Sequence, residues 1–144
     1  MPLRRSAFTL VEILIVVVIL GILAAIVVPQ FMPASEITRA NTNFALLRTL
    51  RSQLELYQTH HEAYPTLAQM WTVLTERTEA DGSVSPTGKF GPYLEREPIN
   101  AFTGSTTVVA PAAASAADGW TYDEATGVIR AVGFDESTGK FTRP

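Results

Sequence analysis

Glu12 is the residue best placed to do chemistry in this chain, because it is a carboxylate set among aliphatic neighbours. An acid at the centre of a membrane helix costs on the order of 2.5–3.5 kcal/mol, and less near the interface. Two uses would account for it. Thr9-x-x-Glu12 has the spacing of a helix capping box, in which each side chain satisfies a free amide of the first turn, and a negative charge there suits the helix dipole. Alternatively, Glu12 faces a cationic partner outside its own segment. On the residues alone both readings stand open. His60-His61-Glu62 invites a metal reading, but adjacent side chains point in different directions from a helix and rarely share an ion. The expectation there is a solvated helix end, with the imidazoles near the carboxy-terminal dipole.

Other reactive constellations are missing from the sequence. Cysteine is absent, which excludes disulfides, thiolate metal sites and cysteine nucleophiles. A zinc site built on two histidines would have to lean on carboxylates. There is no Gly-rich phosphate loop, nucleophile elbow or convincing His/acid arrangement, and the acids are scattered over predicted turns. No catalytic residue is expected, and the chain reads as a non-enzyme.

The elements that must carry Glu12 follow from how the apolar residues are distributed. The 144 residues are 47% apolar and 17% charged, with formal charge −3, enough for one modest domain or a small domain plus an appendage. The mean hydropathy of +0.15 hides a segregation: Leu10 to Val28 holds 17 apolar residues out of 19, while the remainder is polar-surfaced. Phe8 to Val28 is interrupted only by Thr9, Glu12 and Gly21. A helix of about 20 such residues spans the hydrocarbon core of a bilayer. Arg4 and Arg5 just before it place the amino terminus in the cytoplasm by the positive-inside rule. A secretory signal peptide fits less well, since its apolar region is shorter and Ala24-Ala25 lies inside this run.

Basic leader, small residue, Ala7-Phe8-Thr9-Leu10-Val11-Glu12 and the long aliphatic run together resemble the type IV pilin and type II secretion pseudopilin family. The resemblance covers residues 4 to 29. It implies cleavage between Ala7 and Phe8 by a membrane-embedded prepilin peptidase, followed by N-methylation of Phe8. The family prefers glycine before the cut; Ala7 is still small, so processing is expected, at a slower rate. The resemblance also supplies a partner for Glu12: the α-amino group of a neighbouring subunit entering a filament. In a low dielectric, an ammonium–carboxylate pair offsets much of the desolvation each group would suffer alone. An unpaired Glu12 is costly at every other axial position, so the pair would set register.

Gly21 and Pro29 bracket a weak stretch of the same helix, since glycine disfavours helix and an interior proline removes a backbone bond. Family filaments can melt the helix between a glycine and a proline at matching positions, so a kinked, extensible helix is expected. Beyond Pro33, Ser35 or Asn41 could cap a renewed helix. Phe44, Leu47, Leu50, Leu54 and Tyr57 then recur at spacings of three and four, which makes one apolar stripe. The helix is expected to end near Glu62, because Tyr64 precedes Pro65. Such a helix would be roughly 80 Å long if straight, too long for a small domain to bury.

Thr66 to Glu79 has a short helical pattern. Gly91-Pro92-Tyr93-Leu94 through Asn100-Ala101-Phe102-Thr103-Gly104 looks like the segment linking helix to sheet in major pseudopilins, where that family usually reads Pro-Trp-Gly. Val108 to Asp118 reads as a surface loop. Gly119–Asp123 and Gly127–Val132 read as strands joined by a hairpin-length connection, with Thr106–Val109 before them and Lys140–Thr142 after. The expected fold is α+β and pilin-like: a long amino-terminal helix, membrane-spanning then amphipathic, packed on a small antiparallel meander. The expected divisions are a leader at 1–7, a transmembrane or filament-core segment at 8–33, the amphipathic half of the helix at 34–62 and a globular head at 63–144. Major pseudopilins often bind calcium in a carboxy-terminal loop, which makes Asp118, Asp123, Asp135 and Glu136 candidate hard-oxygen ligands. None has a fixed calcium-loop spacing, and no other cofactor is expected.

The leading functional expectation is a structural one. The chain is a bacterial inner-membrane subunit with its head outside, polymerised into a helical periplasmic or extracellular filament of its own copies. The resemblance implies an inner-membrane assembly platform with a cytoplasmic ATPase. The Gly91–Gly104 similarity leans toward a type II secretion pseudopilus, and the lack of cysteine excludes the disulfide-closed terminal loop of many pilins. The alternatives are a type IV pilin of an adhesion, motility or competence pilus, and a membrane-tethered head with enzymatic or binding activity. Direct nucleic-acid binding is not expected, since loss of Arg4 and Arg5 takes the charge from −3 to −5 and the head has no basic run.

Overall fold

The computed structural model describes residues 9–142, and of residues 29–34 the backbone alone. Its largest element is a helix, α1, Leu10–His61. The chain divides into two compact units, Met1–Ser35 and Glu36–Pro144, and α1 contributes to both.

In the first unit, Leu10–Val28 is apolar on every face, so no side of it can be satisfied by a single neighbour. Fifteen Leu, Ile and Val side chains there are exposed in the lone chain. Each is worth about 1.5–3 kcal/mol when fully buried, so together they outweigh the cost of one carboxylate by tens of kcal/mol. The helix assignment continues through Gly21, Pro29 and Pro33. A fresh start at Ser35 or Asn41 is therefore not needed, and that expectation is corrected: the turns on either side of the prolines carry the helix on.

In the second unit, α1 presents one buried stripe, Ala40, Asn43, Leu47, Leu50, Leu54 and Tyr57, at alternating spacings of three and four. Phe44 was expected in this stripe but is 41% exposed. It stands one position round from Asn43, its ring edge-on to Phe134 with centroids 4.8 Å apart. After His61 the chain leaves the helix through Glu62 at φ 59°, whose amide still donates to the Gln58 carbonyl at 2.8 Å. A 3-10 turn at Leu67–Gln69 leads into α2, Met70–Thr75. The helix expected to reach Glu79 stops at Thr75 because Thr78 is drawn into extended pairing: its amide and carbonyl exchange bonds of 3.0 Å with Phe90.

Five short strands complete the head: β1 Val108–Val109, β2 Trp120–Asp123, β3 Val128–Ala131, β4 Phe134–Asp135 and β5 Lys140–Phe141. β2 and β3 pair antiparallel with Tyr122 opposite Ile129, and β4 and β5 form a separate antiparallel hairpin. The expected wholly antiparallel meander is corrected in one respect. β1 pairs parallel with β2, Val108 opposite Trp120, because the loop through Pro111–Ala113 brings the chain back to run in the same direction. Gly119 permits that approach, since a Cβ there would lie 2.3 Å from the Ser105 carbonyl oxygen.

Alternation along the strands supplies the other half of the core. Trp120, Tyr122, Ile129 and Ala131 are buried, as period-two patterning requires, and they share one cluster with the α1 stripe and with Met70, Val73 and Leu74 of α2. Trp120 Nε1 donates to the Pro98 carbonyl at 2.9 Å and the Tyr122 hydroxyl to the Pro65 carbonyl at 2.9 Å. Each large ring thus buries its apolar body without stranding its polar tip. Burial holds the Tyr122 phenol well above the usual tyrosine range.

Candidate functional site

At the start of α1, the Thr9 amide donates to Glu12 Oε2 at 2.9 Å and the Glu12 amide donates to Thr9 Oγ1 at 3.2 Å. The Thr9 hydroxyl also donates to Glu12 Oε2 at 3.1 Å. This is a complete capping box. In the single chain, then, the first of the two uses open to Glu12 is realised: the carboxylate is folded back on its own helix start. Ala7 and Phe8 lie outside the described residues. Gly21 and Pro29 both lie within the α1 assignment.

The polar centre of the head had no signal in the apolar pattern. Asn43 and Asn100 are fully buried. Asn43 Nδ2 donates to Asn100 Oδ1 at 3.0 Å, and the Ala101 amide donates to Asn43 Oδ1 at 2.9 Å. Asn100 Nδ2 donates to the carbonyls of Gly119 and Val132, at 2.7 and 2.9 Å, while its Oδ1 also accepts from the Phe102 amide at 2.8 Å. Two side chains thereby join α1, the Asn100–Gly104 loop and both ends of the β2–β3 hairpin. A buried network of this kind rigidifies a fold when every member is satisfied, and no buried side-chain nitrogen or oxygen among the described residues lacks a partner. The one available clue was Asn100 within the segment likened to the pseudopilin helix-to-sheet link.

His60 and His61 do not form the expected solvated end. Both are half-buried, and His60 Nδ1 and His61 Nε2 lie 2.9 and 3.1 Å from the same Tyr93 hydroxyl. His60 stacks on Phe90 with centroids 4.4 Å apart. The two imidazoles converge because they present different ring nitrogens to a phenol that arrives from a distant loop.

The four calcium candidates are not brought together. Asp118 accepts from the Ser115 amide and hydroxyl at 2.8 and 2.7 Å. Asp123 accepts from the Ala125 amide and Thr126 hydroxyl, and Asp135 from the Ser137 amide and hydroxyl and the Thr138 hydroxyl. These bonds hold all three carboxyls below the usual aspartate range. Glu136 pairs with Arg51, whose guanidinium it pushes above its ordinary value. Among the described residues, no group of three or more His, Asp or Glu stands where it could hold a metal ion.

Comparisons with known proteins agree with this arrangement of a greasy helix start and a small keyless head. A family model described as the prokaryotic N-terminal methylation motif matches residues 2–28, and one described as type II secretion system protein G matches residues 30–127. Similar proteins include the type II secretion system core protein G of Pseudomonas aeruginosa, 32% identical over 75% of both chains. That of Escherichia coli K12 is 30% identical over 75% of this chain and 74% of its own. The Vibrio cholerae protein of the same name is 32% identical over 66% and 64% respectively. No solved structure matches the chain significantly.

Proposed function

The chain belongs to the type II secretion system protein G family, and from that premise we propose that it serves as a structural, non-enzymatic subunit of a pseudopilus. The observation that carries this reading is the contrast within α1. Leu10–Val28 is apolar on all sides and wholly exposed, and it is followed by a head that is already satisfied by itself. A surface of that kind needs lipid first and then other copies of itself.

The finer steps follow from the same chemistry. Prepilin peptidase cuts between Ala7 and Phe8 and methylates the new amino terminus. That terminus is the residue immediately before the capping box, so in sequence the new ammonium stands four residues from a carboxylate that Thr9 already orients. Glu12 then turns from its own helix start to the Phe8 amine of a neighbour, and methylation leaves that amine its charge. Before assembly the subunit sits in the inner membrane, its amino terminus cytoplasmic beside Arg4 and Arg5 and its head outside. A platform driven by a cytoplasmic ATPase lifts it into the filament, where the stretch from Gly21 to Pro29 yields. The divisions at 7, 33 and 62 mark leader, filament core, amphipathic half-helix and head.

Intact mass with amino-terminal fragmentation, on protein taken from its native membrane, tests the reading. The expected species lacks residues 1–7 and carries one methyl on Phe8. A chain still beginning at Met1 would remove the filament reading in favour of a membrane-tethered head.

A further inference from the structure

Two turns of the head share a sequence and a geometry. Asp123-Glu124-Ala125-Thr126-Gly127 closes β2 onto β3, and Asp135-Glu136-Ser137-Thr138-Gly139 closes β4 onto β5. In each, the glycine amide donates to the aspartate carbonyl at 2.8 Å and the glycine sits in the left-handed region, at φ 71° and 67°. Within each turn the aspartate carboxylate is taken up by an amide and by the threonine hydroxyl two or three residues on, with the Ser137 hydroxyl added in the second. Each glutamate reaches outward instead. Glu124 Oε2 accepts from the Leu67 amide at 2.8 Å, at the entrance to the helical turn before α2. Glu136 accepts both arms of the Arg51 guanidinium, at 2.9 and 2.7 Å, and the same guanidinium donates to the Ile129 carbonyl at 3.0 Å.

Acidic turns at the carboxy-terminal end of a small sheet hold the hard oxygens that a calcium ion would gather. Here seven of the eight carboxylate oxygens already accept hydrogen bonds within the chain. We propose that these turns are metal-independent ties: aspartate closes each turn, glutamate fastens it to the helical layer, and Arg51 supplies in the second turn the positive charge that a bound cation would otherwise bring. A guanidinium suits the role because its planar fork meets both carboxylate oxygens at once and still reaches a strand carbonyl. The family match ends at residue 127, so the β4–β5 hairpin that Arg51 fastens lies beyond it. All the atoms involved belong to one chain, so the ties hold whether or not the subunit polymerises.

Hydrogen exchange read by mass spectrometry on the full chain in detergent micelles is the test. Exchange in residues 123–127 and 134–142 is expected to be the same in EGTA and in millimolar calcium. Arg51→Gln is expected to raise exchange in 134–142 several-fold, to leave 123–127 unchanged, and to resist reversal by calcium. Should Arg51→Gln fail to fold, Glu136→Gln cuts the same tie from the turn side and is expected to give the same local loosening. Faster exchange of either turn in EGTA, rescue of a variant by calcium, or a hairpin indifferent to both substitutions would overturn the proposal.

Discussion

Two stretches of α1 use apolar residues in opposite ways. From Leu10 to Val28 they cover every face and none is buried; from Ala40 to Tyr57 most of them form one buried stripe, with Phe44 and Leu56 left exposed beside it. Polar residues divide in the same manner. Glu12 in the first stretch is satisfied only locally, by Thr9 three residues away. Asn43 in the second is satisfied by Asn100, 57 residues on. A helix apolar all round leaves its partner unspecified and can exchange lipid for other helices, whereas a stripe with one buried amide specifies a single partner.

The comparison can be broken first at Asn100. Asn100→Ala removes the partners of Asn43 Nδ2, of the Val132 carbonyl and of the Phe102 amide, while the Gly119 carbonyl keeps the Val132 amide at 3.0 Å. At ~1–3 kcal/mol for each group left unpaired, about 3 kcal/mol or more is lost, a large part of a small domain's stability. Thermal unfolding of the full chain followed by Trp fluorescence should show it, while membrane insertion stays intact. Leu50→Ala, 1% exposed in the native head, should cost ~2–5 kcal/mol by the same assay through the cavity it leaves.

Changes in the first stretch should invert this pattern. Glu12→Ala is expected to leave the head's melting unchanged and to lower filament yield about tenfold, the equivalent of ~1.4 kcal/mol in the assembly step. Yield equal to wild type, measured by shearing and sedimentation, would separate Glu12 from register. The smallest expected effect is on pH. Asp118, Asp123 and Asp135 have carboxyls held below the ordinary aspartate value of 3.8. Because the folded value is the lower one, their contribution is complete above pH 5 and disappears as pH falls below about 4. Melting at pH 5 and pH 3 should differ in that direction, with local exchange rising first in the three acidic turns.

Legibility followed the range of the interaction. The stripe Leu47–Tyr57, the strands Trp120–Asp123 and Val128–Ala131 and the Thr9–Glu12 box were readable because each is a repeat or a contact within a few residues. Asn43 was not, since an amide on an apolar stripe reads as a break until its distant partner is known. The convergence of His60 and His61 depends on Tyr93, 33 and 32 residues away. The parallel pairing of β1 rests on two residues, too few to show a period. Aspartates that look like ion ligands each close a turn of their own, taking up hydroxyls and amides of residues two or three positions away.

The buried amide pair also decides how the head answers a pull. Apolar contacts carry no direction, so a helix held only by leucines could slip along its bed by a turn and find comparable packing. Hydrogen bonds from Asn43 to the Asn100 side chain and the Ala101 amide admit no such sliding: even one residue of travel, ~1.5 Å along the axis, breaks both at once. A load drawn along the head's own part of α1 therefore meets a toothed joint at Asn43, where sliding is blocked by direction-dependent bonds rather than by packing.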